Sequence, residues 1–167
     1  MSSNPGVEVV DLILQQWKKE RPDLDVSPMG VIGRIGRLSK HLEKKLQETF
    51  SDFDLNGGEF DVLATLRRSG QPYQLSPTEL FQTMMVSSGT MTHRVDRLEQ
   101  TGLVERIPDP SDRRGTLIRL TDKGFAVIEK AVEAHVANLH RILIVFNEEE
   151  RQILARLLSK FLASFEK

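Results

Sequence analysis

A mainly α fold carrying one small β-hairpin is what this chain predicts, and three observations carry the prediction. Apolar residues recur at helical spacing along most of its length. Polar start signals, Asn56 with Glu59 and Ser76-Pro77-Thr78-Glu79, punctuate the middle. The short segments "LVERI" and "TLIRL" bracket the turn-rich "PDPSDRRG". The 167 residues are 39% hydrophobic and 28% charged, an ordinary composition for a chain with a buried core. A formal net charge of -1 excludes a uniformly basic nucleic-acid binder but leaves room for a basic patch. There are no cysteines, which excludes disulfides and thiolate chemistry. No apolar run approaches the roughly 20 residues that span a bilayer, and "MSSNPGVEVV" lacks a basic segment followed by an apolar one. A cytoplasmic location is therefore expected.

The elements follow in order. Val7, Val10, Leu14 and Trp17 form a helical stripe that should end near Arg21-Pro22, because proline disfavours helix in the residue before it. After the connector "RPDLDVSPMG", a second helix from about Met29 carries Ile32, Ile35, Leu38, Leu42 and Leu46. Gly30, Gly33 and Gly36 weaken its start or admit a close neighbour. Asn56 and Glu59 open a third helix with Phe60, Leu63 and Leu66 on one face and Asp61 and Arg68 on another; "SGQP" ends it. Ser76 caps a short helix bearing Leu80 and Phe81. After "MMVSS", Ser87 or Ser88 caps a helix whose Met91, Val95 and Leu98 face inward, and Gly102 stops it. The hairpin comes next. Thr121 opens a long helix striped with Phe125, Ile128, Val132, Val136, Leu139 and Leu143. Asn147 and Glu150 cap a last helix striped with Leu154, Leu157, Leu158, Phe161 and Phe165.

Short helix, tight turn, second helix and hairpin, in that order from Ser76 to Leu120, make a winged helix-turn-helix. With its apolar side buried, the second helix offers Thr90, His93, Arg94 and Arg97 outward, short or cationic groups suited to base edges and phosphates. Free N–H groups near Ser87 and Ser88 suit a phosphate. The hairpin tip would lie over the adjacent minor groove or backbone, with Arg113 and Arg114 as its cations. Asp112 is expected to pair with Arg114 and stiffen the tip, leaving Arg113 for DNA. A solvated turn and a plain helical pair are the bland alternatives; the combination in this order points to double-stranded DNA.

These residues resemble a known family. Asp112, Arg114, Ile118, Leu120 and Thr121 match the wing pattern D-x-R-x-x-x-I-x-L-T of MarR regulators, and "LSPTELFQTMMVSSGTMTHRVDRLEQTGLVER" is similar to their two recognition-domain helices. The resemblance implies a homodimer paired through its terminal helices and bound to a pseudo-palindromic operator, as a repressor. It divides the chain into an N-terminal extension helix (1–22), a helical dimerisation region (23–55 and 123–167) and a winged helix-turn-helix domain (56–122). Exposed stripes on the terminal helices suit pairing, while closure of a monomer core is the alternative.

The extra N-terminal helix resembles the urate-responsive, PecS/HucR-like branch. That resemblance implies a ligand site of Trp17, Asp61, Arg68 and Arg106 for urate, a related purine or another small anion, with no resident cofactor. Read from the residues, Asp61 and Arg68 are about two helical turns apart and share a face. Arg106, in the first wing strand, would need a partner if half-buried, and Trp17 offers a flat apolar surface with one N–H. A structural salt bridge at Asp61 and a core role for Trp17 are the alternatives. In the ligand reading, the anion pairs with Arg106, repels Asp61 and shifts its helix, so that DNA is released. A zinc-sensing regulator using His135 and His140, with Glu133 or His41, is the competing reading. A dimer module with a degenerate DNA face is another. Catalysis finds no motif: Gly30, Gly33 and Gly36 lack the strand context of a phosphate loop.

Overall fold

A computed structural model describes residues 8–84, 91–112 and 114–166. The chain divides into two compact units, residues 1–45 and 46–167.

In the first unit, α1 (Val9–Glu20) packs on the start of α2 (Ser27–Ser51), which runs on into the second unit. A Cβ at Gly30 would come within 3.1 Å of the Leu14 side chain, and one at Gly33 within 3.6 Å of Val10. These glycines therefore serve close helix approach, the second of the two expected roles. Arg34 closes the contact with ion pairs to Asp11 at 2.7 Å and Glu8 at 2.5 Å. α2 begins earlier than the expected Met29. Pro28 is tolerated in a first turn, where its missing N–H is no loss, and the Asp25 carboxylate accepts from the Ser27 N–H at 3.0 Å.

In the second unit, α3 (Gly57–Arg68), β1 (Gln74–Leu75), α4 (Pro77–Thr83), α5 (Met91–Gln100), β2 (Val104–Pro108), β3 (Thr116–Leu120), α6 (Asp122–Ile142), a 3-10 turn (Leu143–Val145) and α7 (Glu148–Leu162) follow in order. The predicted capping boxes are formed at Asn56/Glu59, Ser76/Glu79 and Asn147/Glu150. β1 is an addition to the expected hairpin. Its two residues pair with Arg119 and Ile118, giving an antiparallel sheet of order β1-β3-β2. So short a strand has no periodicity to read. Val62, Leu63, Leu66, Leu80, Leu98, Ile118 and Ile128 are fully buried in one core. α6 packs on α3 and contributes Ile128 to that core.

The start of α6 is pinned to the α5–β2 corner. Thr121 Oγ1 caps the Gly124 N–H at 3.0 Å and donates to the Gly102 carbonyl at 2.7 Å. A Cβ at Gly124 would lie 1.9 Å from the Leu103 carbonyl oxygen, so only glycine fits there. α7 leaves its predicted stripe open, with Leu157 61% and Phe165, just beyond it, 72% exposed. No helix among the described residues is long and apolar enough to cross a membrane.

Candidate functional site

The second helix of the helix-turn-helix, α5, buries Val95 and Leu98 as its spacing predicts. His93 is exposed on its outer side. Ser87, Ser88, Thr90 and Arg113 lie outside the described residues. Two arginines of the predicted DNA face are also engaged inside the protein. Arg97 is half exposed, yet its Nε lies 2.9 Å from a carboxylate oxygen of Glu59, which is 2% exposed. The other Glu59 oxygen accepts from the Asn56 N–H at 2.9 Å. One buried carboxylate thus completes the α3 capping box and ties α3 to α5, sharing the positive end of the α3 dipole with a guanidinium. Arg94 lies back over Gly58, where a Cβ would come 2.3 Å from its Nε.

Arg106 occupies the first wing strand as expected, but its guanidinium is already matched. It pairs with Asp96 at 2.5 Å and with Glu99, and its backbone N–H donates to Glu99 at 3.2 Å. The Asp96 bond leads in raising its pKa further above neutrality. Arg106 therefore fastens the wing to α5. Arg119 and Glu105 clasp the two wing strands at 2.8 Å.

At the wing tip the expected side-chain pair between Asp112 and Arg114 is replaced by a backbone one. The Asp112 carboxylate accepts from the Arg114 N–H at 3.0 Å, leaving the Arg114 side chain exposed. A short acidic side chain folds onto the backbone two residues ahead more readily than it meets a long flexible guanidinium. Asp109 repeats the device, accepting from the Ser111 hydroxyl at 2.7 Å and N–H at 2.8 Å, which holds its carboxyl below the usual range. Gly115 closes the turn; a Cβ there would meet Asp109 at 2.9 Å and Asp112 at 3.1 Å.

Behind α5 a cavity of about 780 Å³ opens between α3, α6 and the end of α2. Asp61 and Arg68 both line it, as their shared face predicts, and Arg94 joins them from α5. Phe50, Phe60 and Val132 supply apolar wall. Arg67 is paired with Glu129 at 2.6 Å, and Arg68 donates to the Thr83 carbonyl. His135 rests against Phe60 and Phe50 with ring centroids 4.9 and 5.3 Å away, and burial lowers its pKa. Arg106 is not among the described residues lining this cavity. Trp17 stands in the last turns of α1, in the other unit, 42% exposed. Among the described residues no group of three or more His, Asp and Glu is arranged to hold a metal ion.

The family model described as "MarR family" matches residues 55–116, from the foot of α3 to the wing. The HTH-type transcriptional regulator PecS of Dickeya dadantii is 49% identical over 154 residues, 92% of this chain and 92% of that protein. The multiple antibiotic resistance protein MarR of Escherichia coli is 32% identical over 119 residues, covering 71% and 79% of the two chains. The chain belongs to the MarR family. Within it the similarity to PecS supports the PecS-like branch. A solved structure of a mutant Escherichia coli MarR complexed with operator DNA has a TM-score of 0.68 at 28% identity, over 87% of this chain and 97% of that one. The protein is thus a MarR-family DNA-binding transcriptional regulator built on a winged helix-turn-helix, and its relatives are regulators rather than enzymes.

Two residues of consequence escaped the sequence reading. Glu59 was legible as a cap but not as the partner of Arg97, since its second oxygen engages a residue far along the chain. Arg94 was read only as a DNA cation. The signal that it also reaches the cavity was Gly58, a glycine in the first turn of α3 that leaves room for a neighbour's side chain.

Proposed function

We propose that this protein is a homodimeric, cytoplasmic repressor that binds a pseudo-palindromic operator and is released by a small planar anion, urate being the foremost candidate. The observation that carries the reading is the cavity, where Asp61 and Arg68 of α3 meet Arg94, a residue of the recognition helix itself. An anion drawn to Arg68 and Arg94 brings negative charge toward Asp61. Repulsion there strains α3, and α3 is tied to α5 through Glu59 and Arg97. Arg106 then carries the shift of α5 into the wing through Asp96 and Glu99. This departs from the expectation that the anion itself pairs with Arg106, because two carboxylates already occupy that guanidinium. Dimerisation is supported by the open apolar stripe of α7, since a contiguous patch of this kind seeks a partner. A twofold dimer presents two recognition helices to two half-sites.

The test is a fluorescence-anisotropy titration against DNA from the protein's own upstream intergenic region, at fixed salt, with and without urate. Tight binding that urate weakens is the expected result. Tight binding that urate leaves unchanged keeps the operator reading and overturns the ligand. Sedimentation equilibrium checks the dimer, and a monomer at micromolar concentration overturns it.

A further inference from the structure

Arg68, the last residue of α3, serves two neighbours. Its side chain is exposed and lines the cavity wall with Asp61 and Arg94, and its Nη2 donates to the Thr83 carbonyl. Thr83 is the last residue of α4, the first helix of the helix-turn-helix. The final carbonyls of a helix have no partner within it. In α4 side chains supply what is missing. The Thr83 hydroxyl donates to the Leu80 carbonyl at 3.3 Å as well as to that of Glu79 at 2.7 Å, and Arg68 takes the Thr83 carbonyl itself. α4 has no basic residue in its own last turn, so Arg68 also brings the cation that the negative end of a helix dipole favours. Of the seven residues of α4 only Leu80 is buried, and the capping box of Ser76 and Glu79 acts at the opposite end. α3 thus grips both helices of the motif: α5 from its first turn, through Glu59 and Arg97, and α4 from its last residue, through Arg68.

Resting on the reading of this cavity as an effector site, we propose that Arg68 is a positioning residue for DNA binding, and that an anion in the cavity takes its guanidinium away from Thr83. With the bond made, the end of α4 is held to α3, and the chain leaves α4 for the recognition helix from a fixed point. The exchange follows from charge. Arg67 is committed to the Glu129 carboxylate at 2.6 Å, whereas Arg68 bonds a neutral carbonyl. A guanidinium grips an anion by two parallel N–H bonds and by full charge, where the carbonyl offers one bond and a partial charge. The anion therefore wins Arg68, and the end of α4 is released. Repulsion at Asp61 and withdrawal of Arg68 then loosen both helices of the motif together, from the two ends of α3.

The experiment has two readings. Fluorescence anisotropy at several salt concentrations compares DNA binding by wild type and Arg68→Ala without urate. The variant is expected to bind about tenfold more weakly, about threefold at each half-site of the proposed dimer, the scale of a cation at a helix C-terminus. The slope of log affinity against log salt should not change. A side chain that touches a phosphate lowers that slope by about 1 when it is removed. Such a fall overturns the positioning role, and so does an affinity within about twofold of wild type. The second reading is made on the full-length wild type and stands whether or not the variant folds. It is the ¹³C resonance of the Thr83 carbonyl, correlated with the Met84 N–H, with and without saturating urate. The carbonyl is expected to shift upfield as its hydrogen bond is lost, toward its position in Arg68→Ala. A resonance that stays in place while calorimetry shows urate bound overturns this proposal and leaves the effector cavity standing. Absence of urate binding by calorimetry overturns the effector reading, and the exchange with it.

Discussion

Arg97→Ala removes the partner of a carboxylate that is almost fully buried, and the cost can be worked from the geometry. Glu59 is 2% exposed, with Arg97 Nε 2.9 Å from one oxygen and the Asn56 N–H 2.9 Å from the other. Unit charges 4 Å apart attract by about 4 kcal/mol at an effective dielectric of roughly 20. Breaking a buried pair from one side usually costs about 3–5 kcal/mol. Two features reduce this. Arg97 is itself 53% exposed, so water reaches the space it leaves. The α3 N-terminus also still stabilises the anion by roughly 0.3–1 kcal/mol. The expected loss is about 2–3 kcal/mol, read by urea denaturation followed by circular dichroism at fixed protein concentration, since dimerisation would add its own term. For a chain of this size that is a fall in Tm of roughly 4–12 °C. Glu59→Gln in the Arg97→Ala background removes the stranded charge and keeps an acceptor for Asn56. The double variant should regain about 1 kcal/mol or more over Arg97→Ala. A loss below about 0.5 kcal/mol in the single variant, or strict additivity of the two changes, refutes the reasoning. Arg97 would then serve DNA alone.

Other substitutions probe neighbouring parts of the argument. Gly124→Ala forces a Cβ to within 1.9 Å of the Leu103 carbonyl oxygen and should cost about 3 kcal/mol or more, seen in the same denaturation assay; a neutral result would mean that the α5–β2 corner yields freely. Gly58→Ala meets only the flexible end of Arg94. It should leave Tm nearly unchanged while displacing Arg94 from the cavity and weakening urate binding several-fold by calorimetry; an unaltered affinity removes Arg94 from the site. Arg106→Ala frees the wing from α5 and should lower DNA affinity about tenfold by anisotropy, a larger loss than Arg114→Ala at the tip; equal losses would reduce Arg106 to one more surface cation. His135 has its pKa lowered by burial, so the unfolded chain binds the more protons. Stability should therefore fall as pH drops through the ordinary histidine value near 6.5 and level off below the folded value. His135→Phe should flatten that slope in urea melts taken across the window, and a slope unchanged by the substitution assigns it to other groups.

What the sequence disclosed follows from the range of the physics involved. Capping boxes at Asn56, Ser76 and Asn147 are local, as is the shared face of Asp61 and Arg68, and the structure shows them as read. The wing resemblance covered Asp112 to Thr121 and led to the family. Long-range partnerships were not legible. Nothing in the spacing of Arg106 announces that Asp96 and Glu99 claim it, because α5 and β2 must first pack for the three to meet. The residues Gln74 and Leu75 become a strand only because β3 offers an edge. Arg94 was read as an outward cation since the helical wheel gives direction at Cβ, whereas its three-carbon stem lets the guanidinium turn back over Gly58.

The central claim is that occupancy of the cavity is coupled to the DNA-binding face through the charge on Asp61. Its most direct test is the urate concentration that half-releases labelled DNA from wild type and from Asp61→Asn, by anisotropy at one salt concentration, each referred to its own DNA affinity without urate. Binding linkage requires the reciprocal effect, a weaker affinity for urate when DNA is bound. The account predicts release of the wild type and a response blunted about tenfold or more in Asp61→Asn, where no charge is left to repel. Superimposable release curves for the two proteins would contradict it.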